Sequence, residues 1–358
     1  MALFGFGAKK DLVGLDIGSS AIKVAELEEL RKGRGYKLVN FGVEHIPPEA
    51  IVDGSILDAS LVIEAVQKIF EVRKIKARQV AINVSGSAVT IKRISLPPMS
   101  YEELAESINL EAEQYLPFGI DDVNFDFRIM EKKVVEEGEN MDVLLVAAKK
   151  DKVNDYVSVV SQAGLTPMVV DADVFALQNC YEINHAVEDV PTVLVDVGAS
   201  VTNVNIMEGS NSVFWRDLNI GGNKYNEILQ RELQLTEEQA EQVKKGDTSQ
   251  ASVPVEQAVP VINSVNEDVV KEVSRTMDFC RQSTLDKPPE KVILSGGAAR
   301  VMNLDKFLSD TLKAPVEILN PFAHVYVDPK KFDFEWLAQY VPASSVAVGL
   351  ATRRVGDY

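Results

Sequence analysis

Two cysteines, three histidines and two tryptophans are the whole complement of these types in 358 residues. Cys180 and Cys280 sit singly in helical-looking patterns. That excludes a disulfide framework and a cysteine-based metal site, and it fits a reducing compartment. His45, His185 and His324 are scattered, so a histidine-centred catalytic machine is not expected. Positive charge is also short: 37 Lys and Arg against 54 Asp and Glu leave a formal net charge of −17. Such a balance disfavours nucleic acid or anionic lipid as a partner. A phosphate ligand would have to be held by backbone N–H groups, a few lysines and a cation. No apolar run approaches the ~18–20 residues that span a bilayer. The opening MALFGFGAKK has too few apolar residues before Lys9 and Lys10 for a signal-peptide core and reads as a frayed terminus.

What is present is ordinary globular material, 46% hydrophobic and 25% charged, long enough to argue for two domains. Leu12 to Glu44 reads as three successive strands separated by Gly-Ser-Ser and Lys-Gly-Arg-Gly turns. A helix is expected from about Ser60 to Val72, then the strand ARQVAINVSG ending in Gly86. From about Ser87 to Pro167 the pattern reads as a small α+β module. It begins with AVTIKRISLPP and a helix whose Ser100 and Glu103 form a capping box, with Leu104, Ile108, Glu111 and Tyr115 on one face. Two strands, DDVNFDFRIMEKKVV and NMDVLLVAAKK, and a second helix ending at Gly164 complete it. TPMVVDADVFALQNCYEI then resumes the first domain.

At Pro191 the pattern restarts. TVLVDVGASVTNVNIMEG aligns without a gap on the segment that opens LVGLDIGSSAIKVAEL, 180 residues earlier. Asp16 matches Asp196, Gly18 matches Gly198 and Ser20 matches Ser200. NSVFWRDLNIGG is a third strand ending in Gly221-Gly222, and TEEQAEQVKKG a helix ending at Gly246. DTSQASVPVEQAVPVINS, polar and proline-containing, is expected to be a surface loop ahead of a long helix from about Asn266 to Leu285. KVILSGGAARVMNLDKFL reads as strand, glycine turn and helix, and SSVAVGLATRR as a small-residue helix. The whole is a duplicated β-β-β-α-β plan with an insertion in its first half.

Two such hairpins facing each other would wrap a polyphosphate. Their Gly and Ser residues let backbone N–H groups approach an anion closely. Asp16 and Asp196 would flank it, and two carboxylates beside a triphosphate require a divalent cation between them, most simply Mg2+ that keeps its waters. Lys23 could reach back to the β- or γ-phosphate. Ser295, Gly296 and Gly297, at a strand end before a helix, suit close approach to the α-phosphate, ribose or purine.

The set DIGSSAIK, DVGASVTN and LSGGAARVMNL resembles the phosphate-1, phosphate-2 and adenosine motifs of the actin, Hsp70 and sugar-kinase superfamily. AEQVK is similar to the nucleotide-facing helix of the bacterial actins MreB and FtsA. LPPMSYEELAESINLEAEQYLPF with IDDVNFDF, and NPFAHVYVDPKKF near the end, resemble the PilM family of actin-like type IV pilus assembly proteins. The resemblance implies an α/β actin-like ATPase fold with ribonuclease H-like duplicated domains. The first lobe would be 1–86 and 168–190 plus the terminal helix 344–358, with an FtsA-type 1C subdomain inserted at 87–167 and a second lobe at 191–343. It implies bound ATP and Mg2+. The nucleotide would be held by Asp16, Gly18, Ser19, Ser20 and Lys23 of the first turn. Asp196, Gly198, Ala199, Ser200 and Asn203 of the second turn would join them, with Gly221 and Gly222. Glu241, Lys244, Gly296, Gly297, Ala298 and Arg300 would serve the adenosine side. Asp16 and Asp196 would hold the metal, through water.

By position Asp173 matches the catalytic acid of MreB, with Asp171 the neighbouring candidate; the competing reading of DADVF is a strand end with an N-cap aspartate. Slow or coupled hydrolysis is expected. The implied partner is the N-terminal cytoplasmic tail of the inner-membrane protein PilN, docked between the first lobe and the 1C subdomain. Pilus motor ATPases and self-association are further expected contacts. The chain would be cytoplasmic, reaching the inner membrane only through that partner. Two rivals remain. A small-molecule kinase of the same superfamily would need a base and a polar, tryptophan-bearing sugar pocket, and the first lobe has no tryptophan. An FtsA-like filament protein would need a terminal membrane helix, for which ATRRVGDY is too short.

Overall fold

The computed structural model describes residues 12–31, 33–52, 54–130, 140–251, 253–283 and 288–357. The opening segment and the far end of the strand expected through Val135 lie outside these residues. The first half runs β1 (Val13–Ile17), β2 (Ala21–Glu29), β3 (Tyr36–His45), β4 (Ile51–Val52), β5 (Ser55–Ile56), α1 (Ala59–Val72) and β6 (Gln79–Val84). It continues with β7 (Val89–Leu96), α2 (Tyr101–Glu113), β8 (Val123–Ile129), β9 (Met141–Lys149), α3 (Lys150–Gln162), β10 (Thr166–Ala172) and α4 (Asp173–Asn184). The second half holds β11 (Pro191–Val197), β12 (Thr202–Glu208), β13 (Asn211–Leu218), α5 (Gly222–Leu233), α6 (Glu237–Val243) and α7 (Val255–Ser283). Then come β14 (Lys291–Ser295), α8 (Leu304–Leu312), β15 (Val316–Ile318), β16 (Val325–Tyr326), α9 (Phe334–Gln339) and α10 (Ser345–Leu350).

The two large sheets repeat one topology. The first is ordered β10-β6-β1-β2-β3-β16 and the second β13-β12-β11-β14-β15. In each, the first three strands form an antiparallel meander, and the next two add in parallel beside the first. β1 and β11 are central and buried along their whole length, which is why both read as largely apolar runs, each carrying an aspartate near its end. α1 is capped by Asp58, whose carboxylate accepts from the N–H groups of Ser60 and Leu61, worth about 1 kcal/mol. Its Val62, Val66 and Ile69 pack on the first sheet. α4 and α10 lie between the lobes, where Leu177 and Val348 share a core with Leu194 and Ile293 of the second sheet.

The inserted module is the sheet β7-β9-β8 covered by α2. The Ser100–Glu103 capping box is present. The buried face of α2 is Leu104, Ile108 and Ala112, and the helix ends before Tyr115, which is exposed. Three assignments change with the tertiary packing. The second helix of the segment 87–167, α3, buries Tyr156, Val159 and Val160 in the first lobe's core beside α1. The module's own core therefore comes from residues between β7 and β9. Leu319, Phe322, Val325 and Leu337, expected with the second lobe, pack against Leu38 and Phe41 of the first, and β16 pairs with β3. The loop expected over Asp247 to Ser264 is helical from Val255, with Pro260 inside α7. Ala258, Ile262 and Val265 are buried at helical spacing, and burial of that seam outweighs one missing hydrogen bond near the helix start.

Candidate functional site

The two acidic turns meet. The Ser19 and Ser200 hydroxyls are 2.9 Å apart, joining the β1–β2 turn to the β11–β12 turn. Each turn is closed by the same backbone bond, Gly18 N to Ala21 O at 3.2 Å and Gly198 N to Val201 O at 3.0 Å. Asp16 and Asp196, both buried, sit at equivalent positions on the central strands. Each has a cross-strand neighbour on one face: Lys23 opposite Asp16 and Asn203 opposite Asp196. The two neighbours behave differently. Lys23 donates to Asp16 at 2.8 Å, so its ammonium is engaged at the carboxylate rather than extended past the turn. Asn203 instead donates to Asp217 on β13 at 2.7 Å.

Burial pushes the Asp196 carboxyl up to about 6; the charge of Asp16 adds to the rise, while hydrogen bonding from Ser295 and the charge of Lys23 oppose it. A carboxylate held at that cost in an acidic chain is a ready cation ligand. Around it the second lobe forms a cradle. Gly222 N donates to Gly198 O and Asn223 N to Ala199 O, each at 2.8 Å, binding the start of α5 to the turn. A Cβ on Gly221 would lie 2.7 Å from both Gly198 O and Ala199 O. One on Gly222 would lie 3.3 Å from the Ala298 Cβ and 3.4 Å from Lys244 Nζ. The absence of side chains there lets the turn, α5, α6 and the Gly296–Ala298 turn converge.

On the adenosine side Glu241 is paired with Lys244 and Lys245. Burial alone would raise the Glu241 carboxyl, but the two ammonium groups bring it down to about 2. Lys244 is buried and also donates to Gly222 O at 3.4 Å, and burial lowers its pKa. Asn226 donates to Glu241 at 3.1 Å, while its own side-chain carbonyl is buried without a partner. A buried acceptor left unpaired is the kind of group a ligand donor satisfies. Gly296 stands at φ 92° and touches the end of β11. Arg300 departs from expectation: its guanidinium donates to Ala338 O, away from the cradle. Ser20 is exposed beyond the turn, with its carbonyl accepting from Ile46 N.

Asp173 is the first residue of α4 and caps nothing; Ala172 is the N-cap and offers no side-chain bond. The N-cap reading is thus corrected. The carboxylate instead accepts from Asn83 at 2.8 Å. Asn83, at the end of β6, also donates to Asp16 at 3.3 Å and accepts from Ile17 N at 2.8 Å. Burial first, then the charge of Asp16, holds Asp173 well above the usual carboxyl range, against hydrogen bonds from Asn83 and Ser85. Asp171 points elsewhere, to Arg353 at 3.4 Å. A cavity of about 300 Å3 opens beside Asp173, lined also by Ser85, Ile91, Asn203, Trp215 and Asp217. Asn83, Asp217 and Asn226 had no signal in the sequence, because only tertiary packing brings them to the cleft.

A family model described as type IV pilus assembly protein PilM matches residues 14–355. The chain belongs to that family. It is similar to a solved PilM-PilN type IV pilus biogenesis complex, at 29% identity and a TM-score of 0.85, covering 98% of this chain and 100% of that one. Cell division protein FtsA of Bacillus subtilis is a distant relative, 19% identical over 357 residues, or 86% of this chain and 78% of FtsA. MreB5 of Spiroplasma citri, solved bound to ADP, shares the fold at 14% identity and a TM-score of 0.51, over 95% of this chain and 94% of its own. This PilM-family chain therefore has the actin-like fold with its inserted subdomain, as the motifs implied. Among the described residues no helix is long and apolar enough to cross a membrane.

Proposed function

We propose that this PilM-family chain binds Mg-ATP between its lobes and serves as a scaffold for the N-terminal cytoplasmic tail of PilN. The observation that carries the nucleotide reading is the closure of two matched acidic turns, joined at Ser19 and Ser200. Gly198, Ala199, Ser200, Gly221 and Gly222 would take the phosphates. Gly18 and Ser19 would close from the other lobe, with Ser20 at the rim. Lys244, Glu241, Gly296, Gly297 and Ala298 would face the adenosine, and Asn203 would support the second turn. Asp16 and Asp196 would hold Mg2+. Among the described residues no group of three or more His, Cys, Asp or Glu side chains could hold a metal. A cation between two carboxylates would then complete its shell from phosphate oxygens and water, as Mg2+ prefers. Its contribution when bound is to neutralise the phosphates beside two acids.

Asp173 is the candidate for orienting an attacking water; burial and the charge of Asp16 raise its carboxyl pKa, which weakens it as a base at low pH. Slow turnover, rising with pH, is the expectation. For PilN, the support is the likeness to the PilM-PilN complex over nearly the entire chain. The module also leaves Tyr101, Leu110 and Tyr115 exposed on and after α2, where apolar side chains can serve an extended peptide. The groove would lie between the first lobe and this module, and attachment to the inner membrane would run through PilN. Calorimetric titration of the PilN N-terminal peptide into the full chain tests the reading. Saturable binding that is lost when the module surface is altered at Tyr101 and Tyr115 supports it; absence of binding overturns it.

A further inference from the structure

The second lobe grips the root of the inserted module at two places. Asp217 on β13 accepts from Gly86 N at 2.7 Å, and Gly86 lies just before β7, the strand from which the module hangs. Two residues earlier on β13, the Trp215 indole N–H donates to Ile91 O on β7 itself at 3.0 Å. Asp217 is in turn tied to the cleft. Ser295, Asp196, Asn203 and Asp217 occupy one row across β14, β11, β12 and β13. Asn203 donates to Asp217 at 2.7 Å, so one carboxylate is shared between the metal-side row and the module root. The cavity beside Asp173 is lined by Val89 to Lys92 of β7 and by Trp215 to Asp217 of β13. These polar contacts therefore border open space, where small relative movement meets less resistance than in a close-packed core.

We infer that Asp217 and Trp215 couple the nucleotide cleft to the inserted module, so that filling the cleft repositions or stiffens β7. The inference rests on the proposed nucleotide reading and names the regulation of that site. A ligand that draws the second turn toward the first moves the row of side chains it belongs to. The far end of that row is hydrogen-bonded to the backbone that carries the module. The differential contact required for coupling lies in the Asp217–Gly86 and Trp215–Ile91 hydrogen bonds.

Hydrogen exchange of the full chain with and without Mg-ATP tests this. Peptides covering the turns 16–20 and 196–200 report the nucleotide, and those covering 89–96 report the module root. In the parent chain Mg-ATP slows exchange at both turns and by about fivefold or more at 89–96, the scale of an ordinary coupling. In Asp217→Ala and in Trp215→Phe, the turns remain slowed while the effect at 89–96 disappears. Trp215→Phe keeps an aromatic side chain on β13 while removing the indole N–H that donates to Ile91 O, so it tests the coupling even if Asp217→Ala melts early. Slowing at 89–96 that persists in Trp215→Phe overturns the inference, as does a parent chain whose turns respond and whose β7 does not. Turns that ignore Mg-ATP overturn the nucleotide reading itself.

Discussion

Replacing Gly296 by alanine should be among the most damaging single-methyl changes available in this fold. Gly296 stands at φ 92° and ψ 167°, a region reserved almost wholly for glycine. A Cβ there would lie 2.3 Å from Val197 O, 2.5 Å from its carbonyl carbon and 2.6 Å from its N. All three atoms are backbone at the end of β11, next to the Gly198 turn, and cannot rotate away. The methyl must force the adenosine-side turn off the phosphate-side strand. Backbone strain of about 1–3 kcal/mol and overpacking of about 1–3 kcal/mol give a destabilisation of roughly 2–6 kcal/mol. Gly297→Ala is the matched control, since its Cβ would meet only the Ala343 methyl at 4.0 Å. It should stay within about 1 kcal/mol of the parent. Urea unfolding of the three proteins, followed by fluorescence and circular dichroism, reads the difference. A Gly296→Ala midpoint equal to that of Gly297→Ala would refute the reasoning about this contact.

Two other outcomes follow from the same geometry. Because burial raises Asp196 to about 6 from an unfolded value near 3.9, the folded ligand-free chain binds more protons than the unfolded one between these values. Its stability should fall as pH rises from about 4 to about 6, then level off, and Asp196→Asn should flatten that slope. Mg-ATP affinity should run the opposite way, falling about tenfold per pH unit below about 6 as the carboxyl protonates; an affinity constant from pH 5 to pH 7 counts against Asp196 as a ligand. Asn83→Ala leaves Ile17 N–H buried without its partner and deprives Asp16 and Asp173 of a shared donor. A loss of about 2–4 kcal/mol is expected in thermal or urea unfolding, and a loss under 0.5 kcal/mol, on the order of an ordinary surface change, would contradict it.

The parts of this molecule legible in its sequence are those decided by neighbours in the chain. Asp16–Ser20 and Asp196–Ser200 carry their turn chemistry locally, and their alignment exposed the duplication that the two sheets repeat over five strands each. The Ser100–Glu103 box and the Gly164 stop were readable for the same reason. What escaped depends on partners far away in the chain. Pro260 looked like a loop residue because local propensity says so, yet a buried seam on α7 overrides it. Asp217 and Asn83 looked like ordinary strand polars, and gain meaning only when Gly86 and Asp173 arrive from distant segments. Lys23 had suitable charge and spacing for phosphate and Arg300 for the adenosine side, but a long, flexible side chain can be claimed by a nearer acceptor, Asp16 in one case and Ala338 O in the other.

Two acidic turns from the halves of a duplicated chain are proposed to close on a metal-bound triphosphate. Calorimetric titration of ATP, with Mg2+ and with Mg2+ chelated, into the parent chain, Asp16→Ala and Asp196→Ala addresses that closure most directly. Mg2+-dependent binding to the parent and none detectable to either variant is expected, with both variants retaining a folded circular dichroism spectrum. Unchanged ATP affinity in both folded variants would contradict it.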